Sequence, residues 1–253
     1  MTLHNNYERH FKYFQDTIIP IPPLPVQEEI VRILDNFTEL TAELQARAKQ
    51  YEYYRDTLLT FGDDVPVVKL SDISRYSKDR IVASDVDEYT YVGVDNLLQD
   101  KKGKTISTHV PIEGNLTKYH KKDVMIGNIR PYLKKIWFAD NEGGTNGDVL
   151  TIQTTSDKII PEFLFVLLSS DDFFNYDMNN SKGAKMPRGD KNAVMRYPIP
   201  LPSIKRQEEI VNILNRFDIL CNDISEGLPA EIEARQKQYE YYRDQLFSFK
   251  KAN

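Results

Sequence analysis

Residues 19–40 read IPIPPLPVQEEIVRILDNFTEL, and residues 199–220 read IPLPSIKRQEEIVNILNRFDIL. At an offset of 180 the two stretches agree at 12 of 22 positions, including the block QEEIV. A second match follows. Residues 45–61, QARAKQYEYYRDTLLTF, agree with residues 233–249, EARQKQYEYYRDQLFSF, at 12 of 17 positions and an offset of 188. An internal repeat of this kind fixes the organisation of a chain before any single element is read. One unit occurs twice, and the second copy carries 188 − 180 = 8 extra residues between its blocks.

Each copy predicts a long helix led in by an extended, proline-rich stretch. Pro20, Pro22, Pro23 and Pro25 precede the first helix, and Pro198, Pro200 and Pro202 the second. Proline stops a helix from starting earlier and restricts the residue before it. Pro25 suits the first turn of the first helix, and Ser203 is the expected cap of the second. Apolar residues then recur every seven positions. Ile30, Phe37, Leu44, Tyr51 and Leu58 form one row, and Ile33, Leu40, Tyr54 and Phe61 lie in a second row interrupted by Arg47. In the second copy Ile210, Phe217 and Ile224 start the first row, and Ile213 and Leu220 the next. The frame resumes one residue late at Ile232, Tyr239 and Leu246, after a break at Gly227 and Pro229. A seven-residue period is a coiled-coil seam. Helices of about 32 residues run roughly 48 Å. Two of them flanking an insert can pair antiparallel into a spacer.

The insert has no heptads. Short β-rich runs occupy 65–70, 89–94, 124–126, 135–138 and 149–153, with turn signals at Gly103, Asn141 to Gly144, and Asn146 with Gly147. Helices are expected from Pro161 to Ser169 and from Asp171 to Met178. The fold class is therefore α+β: one mixed α/β domain at 63–197, helices at 18–62 and 198–253, and a residual domain tail at 1–17 that corresponds by position to 181–197.

Composition bounds the function. The 253 residues are 40% hydrophobic and 28% charged, enough to bury a core, and the net charge of −5 argues against a general polyanion binder. The longest apolar run, Phe163 to Leu168, is too short to span a bilayer, and Met1 to Phe14 has no signal-peptide pattern. One cysteine, Cys221, excludes a disulfide framework and suits a reducing compartment; the cytoplasm is the expected location. The four histidines are dispersed without metal-ligand spacing, so no metal site is expected. There is no phosphate-binding glycine loop, no nucleophile elbow, and no Asn/Asp-Pro-Pro-aromatic methyltransferase motif. An enzyme acting alone is not expected.

Two basic stretches stand out instead. Residues 118–135 hold Lys118, Lys121, Lys122, Arg130, Lys134 and Lys135 against one acid, Asp123, around the phrase GNIRPYLKK. Residues 182–196, KGAKMPRGDKNAVMR, hold Lys182, Lys185, Arg188, Lys191 and Arg196 against Asp190. Lys and Arg neutralise phosphates, and Arg and Asn can bond paired base edges.

These features together resemble the specificity subunit of type I restriction–modification systems. The resemblance rests on the IPLP lead, QEEIV-x-IL, and KQYEYYRD with a terminal aromatic, all occurring twice, and on YVGVDNL at 91–97, GNIRPYLKK at 127–135 and KGAKMPR before the second lead. It covers essentially residues 19–250. It implies a target recognition domain that reads one half of a split site in double-stranded DNA. It also implies an antiparallel coiled-coil spacer that sets the gap and docks modification (methyltransferase) subunits, with restriction subunits as further partners. The specificity subunit is not catalytic: S-adenosylmethionine, ATP and Mg would belong to partner subunits, and no cofactor to this chain. A full-length member has two recognition domains. The single one here is explained by a half-subunit that works as a homodimer, by a recombination cassette, or by a truncated product; the dimer restores two domains.

The residues expected at DNA are Asn128, Arg130, Tyr132, Lys134 and Lys135 in the first loop and Lys182, Lys185, Arg188 and Lys191 in the second. The expected spacer core is Ile30, Phe37, Leu44, Tyr51, Ile210, Phe217 and Tyr239. The repeated polar motifs offer Gln27, Glu28, Arg55, Asp56, Gln207, Glu208, Arg243 and Asp244 either for partner docking or for capping and bridging the helices. A structural coiled-coil adaptor that never touches DNA accounts for the helices but not for the basic loops.

Overall fold

A computed structural model describes residues 21–222 and, beyond them, residues 233, 234, 236–238, 240, 241 and 244. The expected tail at 1–17, the break at Gly227 and Pro229, and the expected residues Tyr239 and Arg243 lie outside the described residues, as do the side chains of Phe37, Leu44 and Cys221.

In chain order the elements are α1 (Leu24–Leu58), β1 (Val67–Lys69), α2 (Leu70–Ile73), β2 (Ser74–Tyr76), β3 (Arg80–Val82), β4 (Tyr91–Val92), β5 (Asn115–Tyr119), β6 (Val124–Gly127), β7 (Ile136–Phe138), β8 (Gly143–Thr145), β9 (Val149–Thr154), α3 (Pro161–Leu168), α4 (Asp171–Asn179), α5 (Lys191–Met195), β10 (Pro198–Pro200) and α6 (Ile204–Asn222). Single 3-10 turns cover Ala83–Asp85 and Pro131–Leu133. The chain divides into two compact units. One combines the described residues up to Tyr51 with those from Arg216 onward, and the other is Glu52–Asn215.

The larger unit is mixed α/β. Its central sheet has the order β2-β9-β6-β7 and is antiparallel throughout. All four residues of β6 and five of the six of β9 are buried; β6 reads as an uninterrupted apolar run, while β9 buries Thr151 and Gln153 among its apolar residues. A second sheet has the order β3-β5-β8-β4, with β4 and β8 parallel. Val92, Leu97, Tyr119, Met125, Trp137, Ala139 and Val149 form one core cluster, with the Tyr119 and Trp137 rings edge to face at 5.6 Å. The helix α3 buries Phe163, Leu164, Val166, Leu167 and Leu168. Pro161 in its first turn lacks the N–H that would have no partner there.

Two readings change here. The turn expected at Asn141 to Gly144 is in part the strand β8. A Cβ on Gly143 would collide with the Thr90 carbonyl and the Tyr119 hydroxyl, so glycine is present to let two backbones approach, not to turn the chain. The proline-rich lead of the second repeat is β10, paired antiparallel with β1 through Val68↔Ile199. Each forms only a two-stranded pair, where Pro198 and Pro200 remove no inner ladder bond.

The repeated helices begin as expected. Ser203 Oγ accepts from Arg206 N at 3.4 Å. Ile210, expected in the spacer seam, is fully buried together with Val211 and Leu214, and all three belong to the Glu52–Asn215 unit. Its burial is thus part of the insert domain's core: the start of α6 is a component of that domain. Ile30, Tyr51 and Phe217 are half-buried.

Candidate nucleic-acid interface

The two basic stretches, 118–135 and 182–196, are separate in sequence, yet their backbones are hydrogen-bonded to each other. At the end of β6, Gly127 N donates to Lys135 O at 2.9 Å and Asn128 N donates to Asp148 O at 2.8 Å. These bonds close the neck of the loop 128–134. In the second stretch Lys182 and Arg188 exchange both backbone hydrogen bonds at 2.9 Å, which ties 182–188 into a loop with Gly183 at φ 101°. Arg130 N then donates to Pro187 O at 2.8 Å, and Gly189 N to Asn128 O at 3.1 Å. The result is one joined surface.

The first loop is held in a costly conformation. Arg130 (φ 53°) and Lys134 (φ 49°) both sit in the left-handed region, one on each side of the turn Pro131–Leu133. A residue with a Cβ loses about 1 kcal/mol or more in that region. The exposed Arg130 and Tyr132 stand at this turn. Such strain recurs where the surrounding structure fixes a side chain for use.

The expected DNA-contact residues separate into three groups. Arg130, Tyr132, Lys182, Lys185, Arg188 and Lys191 are exposed on the joined loops or just after them. Two of these have acidic companions: Arg188 pairs with Asp148 at 2.9 Å, and Lys182 with Asp190 at 3.1 Å. Asp190 also caps α5 by accepting from Asn192 N and Ala193 N, and the Lys182 bond followed by those two holds its carboxyl below the usual range. Lys134 and Lys135 are committed elsewhere. Lys135 Nζ donates to Val94 O at 2.6 Å, and Lys134 pairs with Asp171 at 3.0 Å beside Lys101. Burial pushes the Asp171 carboxyl up, but the hydrogen bonds from Lys101 and Lys134 prevail and hold it at about 2. Asn128 is buried.

The pairing of Asp148, Asp190 and Asp171 with the basic side chains was not legible in the sequence, where Asp190 stood only as the one acid of its stretch, because these roles depend on tertiary contacts. Only the cap at Asp190, directly before the helical run KNAVM, left a sequence signal. Among the described residues no group of three or more His, Cys, Asp or Glu gathers as a metal site, and no helix is long and apolar enough to cross a membrane.

The repeated glutamine has a structural role. Gln207 is fully buried; its Nε2 donates to Lys158 O at 2.8 Å and Pro202 O at 2.9 Å, and its Oε1 accepts from Ile160 N at 3.0 Å. It fastens α6 to the domain and is not available to an outside partner, which corrects its expected place on a docking surface. Gln27, its counterpart 180 residues earlier, repeats the bond to the proline-lead carbonyl, Pro22 O, at 2.7 Å. Arg55 is also buried, 2.9 Å from the exposed Asp56. Glu28, Glu208 and Asp244 are exposed.

The chain thus carries, in sequence order, one helical motif, a mixed α/β domain with a basic double loop, and a second copy of that motif. The family profile described as "Type I restriction modification DNA specificity domain" matches residues 8–51 and 62–234, and the chain belongs to this family. It is 34% identical over 257 residues to the EcoR124I/EcoR124II specificity subunit of Escherichia coli, covering 92% of this chain and 63% of that protein. A putative type I specificity subunit of Mycoplasma pneumoniae is 30% identical over 246 residues, covering 91% of this chain and 92% of that one. The S subunit of a type I system from M. genitalium shares the fold at a TM-score of 0.55 and 11% identity, over 90% of this chain and 61% of its own. The chain thus spans less than two thirds of the E. coli relative and of this solved neighbour.

Proposed function

We propose that this chain is the non-catalytic DNA-specificity component of a type I restriction–modification assembly, with residues 63–197 as a target recognition domain that reads one half of a split DNA site. The observation that carries this reading is the joining of two separate basic stretches into one exposed surface through Arg130 N–Pro187 O and Gly189 N–Asn128 O. By residue type, Arg130 and Arg188 are the candidates for reading base edges, and Lys182, Lys185 and Lys191 for the phosphates. Methyl transfer, with its S-adenosylmethionine, belongs to modification subunits that dock on the helices, and ATP and Mg serve restriction subunits. The helices α1 and α6 with its continuation form an antiparallel spacer; the compact unit that combines both terminal segments supports this pairing.

The working form on this reading is a pair of chains. Ile21, Leu24, Val31 and Leu34 of the first repeat are exposed, while Val211 and Leu214, the counterparts of the last two, are buried. A second copy of the chain covers that first face.

The test is binding of the full chain with its modification subunits to cognate and random duplexes across a salt series. The expected result is salt-sensitive binding to both, with Arg130→Ala losing roughly tenfold or more on cognate DNA and much less on random DNA. Binding to neither duplex would favour the adaptor reading.

A further inference from the structure

Three buried side-chain oxygens at the root of the joined loops have no hydrogen-bond partner: Asn128 Oδ1 and both carboxylate oxygens of Asp177. Asn128 is 4% exposed and Asp177 0%. All three are acceptors when Asp177 is ionised, and buried acceptors facing one another are costly. Gly189 shows how close they are. A Cβ on that residue would press into both Asp177 Oδ1 and Asn128 Oδ1, each within 3 Å of the same point. Gly189 is also the residue whose N–H bonds Asn128 O across the two loops. The three groups therefore sit where the first loop, the second loop and α4 meet.

Among the described residues no cation pairs with Asp177. Around it, Lys191 Nζ of α5 donates to Gly147 O at 3.3 Å, the Tyr176 hydroxyl of α4 donates to Ala193 O at 3.1 Å, and Lys185 is exposed. Tyr76 of β2 donates its hydroxyl to Lys191 O at 2.9 Å. Asp190 is held by Lys182, Arg188 by Asp148, Lys134 by Asp171, and Glu162 of α3 by Lys122. Arg130 is exposed. Tyr76 and Asp190 add only like charge or none.

We propose that Asp177 is a protonated carboxylic acid that donates to Asn128 Oδ1, forming a buried latch that holds the two basic loops together. One proton turns one of three opposed acceptors into a donor and gives a second its partner. It also fixes the Asn128 amide with Oδ1 inward, so Nδ2 takes the outward side, towards the exposed loop surface. Asp177 is thus a positioning residue for the DNA-facing loops, and this part rests on the proposed reading of their function. Burial alone already raises its carboxyl to about 6 from an ordinary 3.8, and a hydrogen bond made by the neutral form raises it further.

The sign of the pH dependence follows. The folded state holds this proton more tightly than the unfolded state, so the latch contributes fully below the ordinary carboxyl range. Its contribution is lost as pH rises through the folded value, at and above about 6. The experiment compares the full chain with Asp177→Asn, whose amide N–H₂ can donate to Asn128 Oδ1 at any pH. The thermal midpoint of the wild type is expected to fall relative to that of the variant by several degrees between pH 5 and pH 8. Difference infrared spectra between them should show a protonated-carboxyl C=O stretch at pH 5 that fades on the alkaline side. A wild-type midpoint that does not fall relative to the variant, with no such stretch, would overturn the proposal and mean an ionised Asp177 with the Asn128 amide turned inward. Binding to cognate duplex, measured on the same samples, separates the two layers. A latch with no DNA binding sinks the functional reading alone, and DNA binding without the latch sinks this inference alone.

Discussion

Arg130 and Lys134 show how a residue-scale cost is tied to use. Both take left-handed backbone around one short turn, and neither is glycine. A glycine there relieves the Cβ clash but adds freedom to the unfolded chain, two effects of similar size. Arg130→Gly should therefore leave unfolding free energy within about 0.5 kcal/mol of wild type, as read by urea denaturation, while specific DNA binding is lost. A binding defect in that variant is then a defect of contact and not of folding. Lys134→Gly also removes the ion pair with Asp171 and should cost more stability than Arg130→Gly, but it should keep cognate DNA binding because the Lys134 side chain is engaged by that acid. The sequence marked both residues as basic loop positions. It could not tell them apart, because the difference lies in which acid stands opposite each.

At the scale of elements, the repeat gives an internal control. Gln207 and Gln27 occupy the same place in two copies of one motif, but Gln207 satisfies three backbone groups and Gln27 is seen to bond one. Gln207→Ala removes the partner of the buried Pro202 O and of the part-buried Lys158 O and Ile160 N. It should cost about 3 kcal/mol, against about 1 kcal/mol or less for Gln27→Ala, by denaturant titration of each variant. The strand β8 offers a second case. Gly143→Ala forces a methyl group into the Thr90 carbonyl and the Tyr119 hydroxyl and should destabilise by at least about 3 kcal/mol, where an exposed Gly147→Ala changes little. The sequence reading took Gly143 and Gly144 as a turn because glycine permits turns and close backbone approach alike. Only the neighbouring strand β4 decides between them. The buried strands and α3 were legible since their apolar runs and proline start have one simple solution each. The polar strand NLTKY at 115–119 was not, because it has neither alternation nor an apolar run.

For the molecule as a whole, the proposal of paired chains makes a contrast that light scattering can read. Val31→Glu with Leu34→Glu places charge on the exposed face of α1 and should lower the assembly state of the chain with little change in thermal midpoint. Leu214→Glu puts the same charge into the core of the Glu52–Asn215 unit and should prevent folding. If the paired substitutions leave the assembly state unchanged, the first-repeat face is not where a second copy sits.

The amino-acid order by itself determined the repeat, the helical character of its copies, the mixed α/β insert and the family. Periodicity and repeated motifs survive in one dimension because each reflects local geometry or duplication. What the tertiary structure decided was which charges meet. The union of residues 128–134 with 182–189, the commitment of Lys134 and Lys135 to other partners, and the burial of Gln207 and Asp177 all depend on contacts between distant segments. Hydrogen bonds and ion pairs act over a few ångströms in space, and sequence separation carries no record of that distance until the core has packed.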